Sequence, residues 1–109
     1  MDIKKKKISG YGIKFYVEEN GKEVGRAYLY VMNNDLHDEP FGLMEDVYID
    51  ESLRGKGMGT KLVEGLVAEA KKIGCYKLIA TSRYERERVH QLYGRLGFKD
   101  WGKEFRLDF

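Results

Sequence analysis

The sequence predicts a mixed α/β domain, an α+β sheet carrying two helices, and three observations lead there. Before Asp50, apolar and polar positions alternate in three separate runs, as they do in half-buried strands. At Gly57 the period changes from two to 3.6, the mark of an amphipathic helix. A short β-like run, Lys77 to Thr81, follows that helix, so strand, helix and strand form a parallel crossover. With 109 residues there is material for one core, and residues 1–109 read as a single domain.

Tyr11 to Glu18 is the first strand, with Ile13, Phe15 and Val17 on one face. Asn20-Gly21 is a tight-turn signal, and Glu23 to Met32 returns as the second strand of a hairpin. After a polar loop through Pro40, Phe41 to Ile49 is the third strand, and strict alternation puts Leu43, Glu45, Val47 and Ile49 on one face. In the first helix Leu62, Val63, Leu66, Val67, Ala70 and Ile73 make one stripe, and Gly74 ends it. A second helix is expected from about Glu85 to Leu96, with Val89, Leu92, Tyr93 and Leu96 at helical spacing and Gly97 as its stop. Phe98 opens a further extended piece, and Phe105, Leu107 and Phe109 alternate to the end. The expected order is β-β-β-α-β-α-β, with a last short strand optional.

Composition excludes several classes. Net charge is only +2, which gives no global argument for nucleic acid; Lys4 to Lys7 read as a solvated edge. No apolar run approaches the length of a membrane span, and the basic N-terminal cluster lacks an apolar sequel, so the expected location is cytoplasmic. A single cysteine, Cys75, forms no internal disulfide and reads as a small buried hydrophobe. Two distant histidines give no metal-ligand spacing.

The chemistry concentrates in Val47 to Gly59, VYIDESLRGKGMG. Gly55, Gly57 and Gly59 stand at every second position, so a ligand can approach the backbone N–H groups closely. The loop feeds a helix N-terminus, whose unpaired donors and positive dipole end favour an anion. A phosphate is the first inference. Two common phosphate motifs fail on register: the Walker order is reversed at Thr60-Lys61, and the dinucleotide fingerprint finds Thr60 or Leu62 where its third glycine belongs.

Arg54-x-x-Gly57-x-Gly59, opening an amphipathic helix after a strand, resembles the acetyl-coenzyme A loop of the Gcn5-related N-acetyltransferase (GNAT) family. A second match follows downstream: Leu92-Tyr93-Gly94-Arg95-Leu96-Gly97-Phe98 is similar to that family's LYxxLGF segment. The resemblance implies acetyl transfer from acetyl-CoA to an amine, with no metal. It implies that coenzyme A pyrophosphate rests on the backbone of Arg54, Gly55, Lys56, Gly57, Met58, Gly59 and Thr60. Free backbone groups at Val47 and Ile49, on a strand splayed from its parallel neighbour, are then expected to bond the pantetheine arm and the acetyl carbonyl.

The same resemblance marks catalytic candidates. Glu45, in the Met44-Glu45-Asp46 triplet, looks like the glutamate that relays the amine proton; partial burial between Leu43 and Val47 is expected to raise its pKa. An exposed carboxylate in a cross-strand ion pair is the plain alternative. Asp46 is expected on the opposite face, where it attracts a cationic substrate. Tyr93 stands at the general-acid position, able to protonate the coenzyme A sulfur. Arg86 occupies the place where the family usually has a pantetheine-binding asparagine; it and its neighbours Arg83 and Arg88 are candidates for the cofactor's 3′-phosphate. His90 and His37 read as ordinary surface histidines.

Family members usually insert two helices between the first strands, whereas Asn20-Gly21 joins the strands directly. An open acceptor side is therefore expected, suited to a polyamine-like, protein or peptide amine, and an exposed apolar face favours a homodimer. A coenzyme A-binding module without transferase activity is the competing expectation.

Overall fold

The computed structural model describes all residues, 1–109. Four strands form one mixed sheet in the spatial order β1 (Gly10–Glu19), β2 (Lys22–Met32), β3 (Phe41–Ile49) and β4 (Leu78–Ala80). The first three are antiparallel and β4 runs parallel to β3, joined by α1 (Met58–Ile73); α2 (Glu87–Arg95) follows β4.

Local chemistry sets each boundary. Asn20 (φ +53°) and Gly21 (φ +77°) supply the two left-handed residues of the hairpin turn between Glu19 and Lys22, and asparagine and glycine tolerate that conformation best. Gly74 (φ +97°) ends α1 and donates its N–H to Lys71 O at 3.1 Å. The α1 stripe docks on alternate residues of the sheet. Ala27, Leu29, Val31 and Met44 meet Leu62, Val63, Leu66 and Ala70 in the core, all of them buried. Cys75 packs beside this core but is half-buried rather than buried as expected, and desolvation pushes its thiol pKa up. Leu92, Tyr93, Leu96 and Phe98 pack against the same core, so α2 lies on the α1 side. The opposite face is open: Tyr16, Tyr30, Tyr48 and Ile79 are exposed there.

Three expectations change. The final strand is absent, since no strand follows α2, and Phe105, Leu107 and Phe109 are exposed. Alternation defines two faces but supplies no neighbour for the backbone, and a strand needs that neighbour to bond its N–H and C=O groups. Helix α2 begins at Glu87 rather than 85, because Arg86 takes the non-helical cap conformation (φ −90°, ψ +67°).

The third change moves functional residues. Opposite β2, Tyr28 pairs with Glu45 and Arg26 with Tyr48, so Asp46 and Val47 together face the single residue Ala27. Asp46 adopts φ +51°, and the pair forms a β-bulge. One extra residue reverses the alternation beyond it. Leu43 and Glu45 point to the open face, while Val47 and Ile49 turn toward α1 and the core. The four residues expected on one face are thus divided between two.

Candidate active site

The site is built where β3 leaves the sheet. Pairing with β4 covers only Gly42 to Met44 against Leu78 to Ala80, and beyond it the two parallel strands diverge into a wedge. The wedge begins at Glu45. Asp50 donates its N–H to Val24 O on β2 at 2.8 Å, so alternation along the strand directs the backbone groups of Tyr48 toward β2 as well. Those of Val47 and Ile49 point the other way, into the wedge.

Beyond Asp50 a single 3-10 turn, Glu51–Leu53, leads into the glycine loop. Gly55 (φ +81°) and Gly57 (φ +80°) are left-handed, and a Cβ added at either would meet nothing within 4 Å. The backbone there is open to a ligand. Gly57 caps α1 without a side chain, and the first helical donor with a partner is Lys61 N–H, bonded to Gly57 O at 3.1 Å. The N–H groups of Met58, Gly59 and Thr60 are left without an intrahelical acceptor, and no acidic residue occupies the first turn. Lys56 adds a positive charge beside them. These donors and the Lys56 cation fit a pyrophosphate, and the wedge edge fits an extended amide-bearing arm.

Arg54 behaves differently from its backbone. Its Nε–H donates to Ile49 O at 2.9 Å, and its guanidinium lies 5.7 Å from the Tyr48 ring centre. The Ile49 carbonyl, expected to be free, already accepts one bond from the chain itself. No side chain makes such a bond to the backbone of Val47.

Tyr93 is half-buried on α2, with its ring 5.2 Å from that of Phe98. Burial pushes its phenol pKa up, and the positive charge of Arg86 opposes the shift. The net shift keeps the phenol protonated at neutral pH. Glu45 is exposed on the open face, opposite Tyr28. The expected burial between Leu43 and Val47 does not occur, because the bulge has turned Val47 away. It also forms none of the expected ion pairs with lysine or arginine. Asp46 and His90 are exposed, and the His37 ring lies 4.5 Å from that of Tyr76.

Glu45 and Tyr93 thus stand on opposite sides of the sheet, and the wedge is the opening between those sides. Two surface hollows lie elsewhere: one joins Lys6 to Ser9 with Asn33 to Asp35, the other lies between α1 and Leu96, and neither contains an expected site residue. An extended cofactor arm is matched by an open strand edge rather than by either hollow.

Sequence reasoning missed two features. The bulge had a signal: Asp46 interrupts an apolar run, aspartate is depleted in strands, and it tolerates the left-handed region better than most residues. The open-face cluster had none. There Lys14 lies 5.7 Å from the Tyr28 ring and Arg26 lies 4.8 Å from that of Tyr48, contacts that depend on cross-strand register.

Comparison with known proteins agrees with this geometry. The family model described as Acetyltransferase (GNAT) family matches residues 4–98. A glucosamine 6-phosphate N-acetyltransferase of Trypanosoma brucei brucei is 34% identical over 95 residues, covering 86% of this chain and 63% of the relative. A probable glucosamine 6-phosphate N-acetyltransferase 2 of rice, Oryza sativa subsp. japonica, is 37% identical over 68 residues, or 62% of this chain and 39% of that protein. The crystal structure of a Trypanosoma brucei acetyltransferase superimposes with a TM-score of 0.80 at 32% identity, over 90% of this chain and 69% of that one. The chain therefore spans less than two thirds of the length of these two sequence relatives. With the loop, the parallel crossover and the Tyr93 helix all inside the matched residues, the chain belongs to the acetyltransferase (GNAT) family.

Proposed function

We propose that the chain carries an acetyl-CoA-dependent N-acetyltransferase that transfers the acetyl group directly to a primary amine. One observation carries the reading: the unpaired edge of β3 runs without a break into a left-handed glycine loop and an uncapped helix N-terminus. Acetyl-CoA supplies the acyl group as an activated thioester. The chain's residues supply the rest. Amides of Gly55 to Thr60 bind the pyrophosphate, and Val47, with the remaining lone pair of Ile49 O, aligns the arm along the wedge. Glu45, at the wedge mouth on the open face, takes the proton from the amine nitrogen as that nitrogen bonds to the acyl carbon. Tyr93 gives its hydroxyl proton to the departing sulfur. Arg86, at the N-terminal cap of α2 and seven residues before Tyr93, is assigned to the cofactor's phosphate end.

The acceptor enters from the open face. Polyamine-like and peptide amines suit so exposed a surface, and the named activity of the trypanosomal and rice relatives places an amino-sugar phosphate first among acceptors to test. A homodimer belongs to the same reading, supported by the exposure of Trp101, Phe105, Leu107 and Phe109. Isothermal titration with acetyl-CoA is expected to show binding, and an amine panel is expected to show thiol release. Absence of binding at millimolar acetyl-CoA overturns the proposal. Binding without turnover favours a non-catalytic coenzyme A module, a reading supported by the solvent exposure of Glu45.

A further inference from the structure

We propose that the side chain of Arg54 is a positioning residue that fixes the glycine loop against β3 through a hydrogen bond from its Nε–H, rather than a charge that meets phosphate. The inference rests on the reading of this loop as the cofactor site. Arg54 Nε donates to Ile49 O at 2.9 Å, joining the last residue of β3 to the first residue of the motif. Between them the backbone closes a compact turn, with Leu53 N–H on Asp50 O at 2.9 Å and Arg54 N–H on Glu51 O at 3.3 Å. The side-chain bond encloses that turn and makes it one unit with the strand end.

The loop has few other anchors. Nothing lies within 4 Å of a Cβ built at Gly55 or Gly57, and Gly57 offers no side chain to cap α1. Left-handed glycines with no packing partners cost conformational entropy to order, so the adjacent restraint decides where the amides point. Tyr48 lies beside that restraint. Its ring lies 5.7 Å from Arg54 and 4.8 Å from Arg26, and Arg26 is its partner across the β2–β3 ladder. Arg26 also pairs with Glu23 at 3.7 Å, which extends the connection along β2. The loop is thereby referred to the central strand of the sheet.

The chemistry of the donor separates this role from phosphate binding. Glutamine places its Nε2 the same number of bonds from Cα as arginine places Nε, so Arg54→Gln keeps the donor and loses the charge. Arg54→Met loses both at similar length. Two readouts are taken: amide hydrogen exchange at Asp50 to Gly59 in the ligand-free protein, and coenzyme A affinity by titration. Arg54→Met is expected to speed exchange and weaken binding by about three- to tenfold each, the worth of one such hydrogen bond at an exposed site. Arg54→Gln is expected to stay near wild type in both. Equal behaviour of the two variants, in exchange and in affinity, overturns the positioning role, and equal loss of affinity alone assigns the charge to phosphate. A wild-type protein that binds no coenzyme A yet shows the exchange difference retains the restraint and removes the cofactor reading instead.

Discussion

The two ends of β3 solve different problems. Toward its C-terminal end the strand, the turn and the glycine loop present backbone groups whose directions are set by φ, by the bulge and by the Arg54 bond. Across the sheet, the open face presents long side chains: Lys14, Arg26, Glu45 and the tyrosines 16, 28, 30 and 48. Backbone donors are the same whatever side chain stands beside them, so that end is fixed by conformation. The open face is fixed by side-chain identity and register, and any change of residue changes what it recognises. A cofactor shared by many proteins suits the first kind of surface, and an acceptor peculiar to one protein suits the second.

The largest expected effect separates the two ends directly. Glu45→Gln removes the proposed base on the open face and leaves every loop amide in place, so turnover should fall by roughly 10²–10⁴ while coenzyme A affinity holds. Steady-state kinetics with parallel titration measure both. A matching loss of affinity would mean that the two ends are not separable.

Gly57→Val attacks the other end. A β-branched residue is strained at φ +80° and fills the open space where the proposed phosphate would approach. Coenzyme A affinity is expected to fall about tenfold to a hundredfold, in line with about 1–2 kcal/mol of strain plus lost amide contacts. The maximal rate at saturation should change far less. A fall in the rate with affinity intact would assign Gly57 to the chemistry.

Tyr93 gives a pH test with a definite sign. Its folded pKa is raised above the ordinary value of 10.0, mainly by burial, with Arg86 opposing. The folded chain therefore holds the phenol proton more tightly than the unfolded chain does. The contribution of this linkage is fully present below about pH 10 and is lost as pH rises through the folded pKa. Denaturant melts should show stability declining above pH 10 in the wild type and less so in Tyr93→Phe. The same shift keeps the proposed acid protonated through neutral pH, so no alkaline loss of rate from this group is expected below about pH 10. In Tyr93→Phe, turnover should drop with cofactor affinity intact.

What the sequence made legible follows the same division. The hairpin, the α1 stripe, the crossover and the loop were readable because glycine, Asn20-Gly21 and helical periodicity are local signals. The loop could be assigned to an anion before any neighbour was known. The face of Glu45 could not, because it depends on two residues opposing one across the ladder, and strict alternation predicts the wrong side once an extra residue enters. Burial was lost with it. The last strand failed for a related reason, since Phe105, Leu107 and Phe109 alternate correctly but pair with nothing in the chain. Arg54 is recognisable as part of a motif, yet the direction of its side chain is a tertiary fact.

The smallest effect tests the bulge that joins the two ends. Asp46 holds φ +51°, a conformation glycine takes freely and valine takes only with strain. Asp46→Gly should leave stability within about 0.5 kcal/mol, because relief of strain is offset by the entropy of ordering glycine. Asp46→Val should cost about 1–2 kcal/mol in a urea melt if the bulge persists. The alternative for the valine variant is removal of the bulge, which would restore strict alternation and return Val47 and Ile49 to the side of Glu45. Core contacts at α1 would then be broken, so stability should fall further and coenzyme A affinity with it. Unchanged stability and affinity in Asp46→Val would show that the bulge does not hold the cofactor edge and the open face in their separate orientations.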